Sequence, residues 1–104
     1  MLHKLHATRS PERAQAACAA LLQAFEAGCP LAAYDLGELY AAVGGPDRVQ
    51  DAHTYVFAAA LRGDERAVRR ASELTYLIHH GPAETRAQIR QALADAQALV
   101  AMIE

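Results

Sequence analysis

Few of the residues that build β-sheets are present in this chain. Valine, isoleucine, phenylalanine and threonine are sparse, and no segment alternates apolar and polar residues as a half-buried strand does. Alanine, the strongest helix former, dominates the 53% hydrophobic fraction, so an all-α fold is expected before any periodicity is considered. No run of about 18 apolar residues occurs, which argues against a membrane-spanning helix and a membrane partner. The opening Met1-Leu2-His3-Lys4-Leu5-His6 lacks the apolar centre of a signal peptide, so the expected location is cytoplasmic. Basic charge is not in excess: the formal net charge is −2 and the pI near 6.2. Sequence-independent nucleic-acid binding needs a basic face and is not expected.

Chemistry-bearing residues are equally thin. The two cysteines, Cys18 and Cys29, are eleven residues apart. On one helix that is about 16 Å along the axis, beyond the roughly 7 Å that a disulfide spans. They are expected to be buried thiols in a reducing compartment. No Gly-rich phosphate loop, nucleophile elbow or His-Glu-x-x-His run appears, so no catalysis and no cofactor is expected. Of the five histidines, His3 and His6 fall in an N-terminal arm, and His53 reads as a surface residue. His79 and His80 point about 100° apart on a helix, a poor chelating pair that instead complements the macrodipole. No metal site is expected.

Punctuation is what the chain does have. Pro11, Pro30, Pro46 and Pro82 each stand just ahead of a helical pattern, where a proline loses no hydrogen bond and arrives with φ already set. A fifth start is Gly63-Asp64, glycine ending one helix and aspartate capping the next. The spacing predicts helices over about 10–27, 30–43, 46–62, 64–80 and 82–103, with Asp47 and Gln50 as a capping box for the third. The inward stripes would be Ala14, Cys18, Leu21 and Phe25; Ala32, Leu36, Leu39 and Tyr40; Val49, Ala52, Val56, Ala59 and Ala60. They continue with Ala67, Ala71, Leu74 and Ile78, then Ile89, Leu93, Ala96, Val100 and Ile103. With 104 residues, a flexible arm over 1–9 and one domain over 10–104 are expected.

Residues 28–63 carry an internal unit bracketed by Gly28 and Gly63, in the order Ala32-x-x-x-Leu36-Gly37-x-x-Tyr40, then Gly44-Gly45, then Ala52-x-x-Tyr55-x-x-x-Ala59-Ala60. It resembles the Sel-one-like repeat, a relative of the tetratricopeptide repeat. Sliding the unit by 35 residues sets Gly28, Ala32, Leu36, Gly37 and Leu39 on Gly63, Ala67, Ala71, Ser72 and Leu74. Ala52 and Ala59 fall on Ala87 and Ala94 going forward and on Ala17 and Ala24 going back. The loop after Tyr40 is one residue short of the usual spacing, and Thr75 stands where a second tyrosine is usual. The resemblance implies an α-α superhelix of about five antiparallel helices, in which small Gly37 and Ser72 let the helices of a hairpin approach closely.

It also implies a concave face built from the first helix of each hairpin, a protein-binding scaffold or adaptor rather than an enzyme. Carried over by position, the partner-binding residues are Leu31, Tyr34, Glu38, Ala41 and Ala42 on the second helix. On the fourth they are Arg66, Arg69, Glu73, Tyr76 and Leu77. Independently, Arg62, Arg66, Arg69 and Arg70 share one broad helix side, a mix of forks and aromatics that suits an acidic peptide or a chain terminus. The same charges also read as ordinary pairs of a solvated helix, Glu65 with Arg69 and Arg69 with Glu73. The apolar run Ala98–Ile103 cannot all face one core, so Leu99, Val100, Met102 and Ile103 are candidates for self-association as a homodimer. A dedicated inhibitor or chaperone of one partner, of the immunity-protein or secretion-chaperone type, and a structural homo-oligomer are the competing roles.

Overall fold

Among the described residues, each of the first four helices stops one or two residues before a glycine. The computed structural model describes residues 11–45 and 48–103, with five α-helices and no strand among them: α1 Pro11–Glu26, α2 Ala32–Val43, α3 Val49–Leu61, α4 Glu65–His80 and α5 Ala83–Ile103. The expected arm over 1–9, the Ser10 start and the Pro46–Asp47 start lie outside the described residues. Val49 opens α3, preceded by Arg48 without a side-chain cap bond. The Gln50 amide donates to Asp95 at 3.5 Å; Asp47, the other half of the expected capping box, lies outside the described residues.

Gly28 and Gly63 end α1 and α3 with φ of 95° and 90°, a conformation that a side chain makes costly. The turns they form are the same turn. The Gly28 amide donates to the Phe25 carbonyl at 3.0 Å and the Cys29 amide to Ala24 at 2.9 Å. In the second turn, Gly63 donates to Ala60 at 3.0 Å and Asp64 to Ala59 at 3.0 Å. Both satisfy the last carbonyls of the preceding helix in the Schellman manner. The same hydrogen-bond pattern thus recurs at the two glycines.

Helix α3 is the hub, packing against α2, α4 and α5, while α1 packs on α2 and α4 on α5. Phe25, Leu36, Leu74 and Ile89 are the largest fully buried side chains, and Ala33, Ala58, Ala59, Ala67, Ala92 and Ala96 fill the spaces between helices. The Phe25 ring meets Tyr55 edge-on at 5.5 Å, and Tyr40 lies 5.7 Å from Tyr55, which joins α1, α2 and α3. Gly37 sits where α2 crosses α3. A Cβ there would lie 3.0 Å from the Ala52 carbonyl oxygen and 3.1 Å from Val56 Cγ2.

Four expectations fail, each for a local reason. Ser72 is exposed, and its hydroxyl donates to the Val68 carbonyl at 2.9 Å, so it does not stand in for Gly37. Ala87 and Ala94 are exposed as well, because the second unit is longer: Gly28 to Gly44 is 16 residues and Gly63 to Gly81 is 18. That two-residue gain shifts the register, and Ile89 and Ala96 take the buried places that Ala52 and Ala59 hold in α3. Val49, in the first turn of α3, is 42% exposed. Both cysteines are free, but Cys29 is exposed and Cys18 only half-buried.

Gly37→Leu should therefore overpack the α2–α3 crossing against main-chain atoms and cost about 1–3 kcal/mol or more. Urea unfolding measures it. An unchanged midpoint would mean that α2 and α3 can separate without loss.

Candidate functional site

The left-handed Gly63 turns the chain so that Asp64 both caps α4 and faces the start of α2. Its Oδ1 accepts the Arg66 amide at 3.0 Å, and only 3% of its side chain is exposed. Buried carboxylates need partners, and Arg66 supplies them by folding back. Nε donates to Oδ1 at 3.1 Å and Nη2 to Oδ2 at 2.7 Å. The same guanidinium reaches α2, with Nη1 on Asp35 at 3.1 Å and Nη2 on the Leu31 carbonyl at 3.2 Å. Its plane centre lies 4.7 Å over the Tyr34 ring. The Tyr34 hydroxyl donates in turn to Glu38, and that bond, with burial behind it, raises the phenol pKa. Arg66 hydrogen bonding holds the Asp64 carboxyl below its ordinary value of 3.8.

Below this clamp a groove of about 400 Å³ runs between α2, α3 and α4. Tyr34, Glu38 and Ala41 form the α2 wall and Arg70 the α4 wall, over a small apolar floor of Gly37, Ala52 and Val56. Arg70 is steadied by Glu73 at 2.9 Å. His53 lines the groove from α3, half-buried, with Nδ1 buried and without a partner among the described residues. Burial, then the Arg70 charge, lowers its pKa. The arrangement can hold an apolar side chain on the floor and offers fixed polar groups around it.

Of the expected partner-binding residues, the structure brings Tyr34, Glu38, Ala41, Arg66 and Arg70 together, with Leu31 at one end and Glu73 behind Arg70. Four stand elsewhere. Ala42 lines a separate pocket with Tyr40 and Arg48, Arg69 is exposed, Leu77 packs against the core, and Tyr76 is exposed and stacks on His80 at 4.4 Å. The Glu73 ion pair comes from Arg70 rather than Arg69. The arginine side is also less available than its spacing suggests. Arg62 donates to the Gly28 carbonyl at 3.0 Å, tying α3 to the end of α1, and Arg66 is taken up by two aspartates. The ground for an acidic partner is correspondingly reduced.

At the C-terminal end, Val100 is 8% exposed and belongs to the core, which removes it from the self-association set. Leu99 and Ile103 are half-buried against that core, and Met102 is 81% exposed. Sequence reading missed His53 as a groove residue. Its place four residues after Val49 and three before Val56 was the available signal. Among the described residues, no group of three or more His, Cys, Asp or Glu side chains could hold a metal ion. No described helix is long and apolar enough to cross a membrane.

Because Asp64 has a depressed pKa in the fold, its stabilisation is present above its unfolded value and is lost as pH falls through the folded one. Asp64→Asn should cost about 1 kcal/mol or more at neutral pH, and its gap from the parent should close as pH drops below 3.8. Urea midpoints across pH measure both; a gap independent of pH would deny the charge a role. Comparison with protein-family models, curated proteins and solved structures finds no match for this chain.

Proposed function

We propose that this chain is a protein-interaction scaffold of stacked helical hairpins, an α-α superhelix of the Sel-one-like kind, that holds a protein or peptide segment in the α2–α3–α4 groove. The observation that carries the reading is the identical turn at Gly28 and Gly63, 35 residues apart with matching hydrogen bonds. Each such turn starts a new first helix, α2 and then α4, on the same side of α3. The Arg66 clamp fixes these two helices relative to one another. A groove whose walls are pre-set in this way loses little conformational entropy on binding.

Catalysis has no support beside this: among the described residues, the groove is lined by one half-buried histidine and no Ser, Thr or Cys side chain. Binding is what its chemistry offers. A small apolar floor accepts an anchoring side chain, while Glu38, Arg70 and His53 provide the polar contacts that set orientation.

Affinity capture from source-cell lysate tests the reading, with the parent chain beside an Ala41→Arg, Arg70→Glu variant. Both positions are exposed, so the variant should unfold at nearly the parental temperature while blocking the groove. A protein held by the parent and lost by the folded variant is the expected result. Equal retention by both would remove the groove from the binding site.

A further inference from the structure

A second groove, of about 320 Å³, lies between α3 and α5, with Asp51 and Tyr55 on one wall and Asp95, Leu99 and Met102 on the other. At 100° per residue, positions 51 and 55 leave α3 on the side away from 49, 53 and 56, so the two grooves sit on opposite sides of that helix. The rim is apolar, because Met102 stands 81% exposed beside half-buried Leu99. Its centre is charged. Asp95 is half-buried, and among the described residues its carboxylate takes hydrogen bonds from amides alone, Gln91 at 2.9 Å and Gln50 at 3.5 Å. Neutral donors hold the carboxylate in place and leave its charge uncompensated. The neighbouring Asp51 is answered by Arg48 on the exposed side of α3.

This charge decides between occupants. A second copy packing α5 on α5 about a two-fold axis would set Asp95 near its own equivalent, which is repulsive. The exposed Arg90 cannot relieve that repulsion, because five residues along the helix place it about 140° away. We infer that the groove docks a partner segment carrying a lysine or arginine beside an apolar side chain. The cation meets Asp95, and its methylene stem lies along Leu99 and Met102. With the first groove across α3, the chain then joins two partners rather than holding one.

Panning a displayed library of random peptides against the folded chain tests this directly. Enriched peptides should share a basic residue next to an apolar one, and should bind the Ala41→Arg, Arg70→Glu variant as well as the parent. Asp95→Asn, which keeps the shape, removes the charge and can still accept the Gln91 amide through its one oxygen, should weaken them about tenfold. Met102→Lys, at an exposed position that folding tolerates, should weaken them as well, by repelling the cation. Enriched peptides that ignore Asp95→Asn and Met102→Lys would overturn the inference while leaving the scaffold reading intact. So would a dimer in solution that Met102→Lys dissolves, since a second copy would then own the groove. A library that yields no binder overturns it too.

Discussion

The salt-bridged clamp of Arg66 is the interaction on which the arrangement of this molecule turns. Asp64 is buried because the glycine before it forces the chain inward, and a buried carboxylate must be answered. Arg66 answers it and has enough reach left to hold Asp35, the Leu31 carbonyl and the Tyr34 ring. Two helix starts, 33 residues apart in sequence, are thereby fixed to each other. The Arg48–Asp51 and Arg70–Glu73 pairs are different in kind, since each is exposed, local in sequence and screened by solvent.

Small residues complete what the clamp begins. Gly37 and the buried alanines bring α2, α3 and their neighbours into main-chain contact, which gives a shallow floor instead of a core of interlocked large side chains. Phe25, Tyr40 and Tyr55 stay at the α1–α2–α3 junction. The polar groups of the groove are therefore carried on helices rather than loops, and their positions follow from the packing of the hub helix α3.

Helix type, number and order were legible in the residues, because prolines and glycines mark the ends and the inward stripes follow a 3.6-residue period. Leu36, Leu39, Ala52, Leu74 and Ile89 fall where the periodicity puts them. The recurrence of the glycine turn was legible, but the pairing of Ser72 with Gly37 failed. Beyond it the register slipped, because the stretch from Gly63 to Gly81 is two residues longer than that from Gly28 to Gly44, a gain that no local pattern announces. The clamp was not legible at all. Counting arginines along one helix face shows where their charges lie but not which carboxylates fold back to meet them. His53 was hidden for a related reason: its neighbours across the groove come from other helices.

Hydrogen exchange at the first turn of α2 probes the central claim, that Arg66 fixes α2 against α4. In the parent, the amides around Tyr34 and Asp35 should open together with those of the first turn of α4, as one cooperative unit. In Arg66→Ala the α2 amides should exchange faster and independently of α4. Unchanged exchange in α2 after removal of the guanidinium would contradict the account, because the two helices would then be held by packing alone.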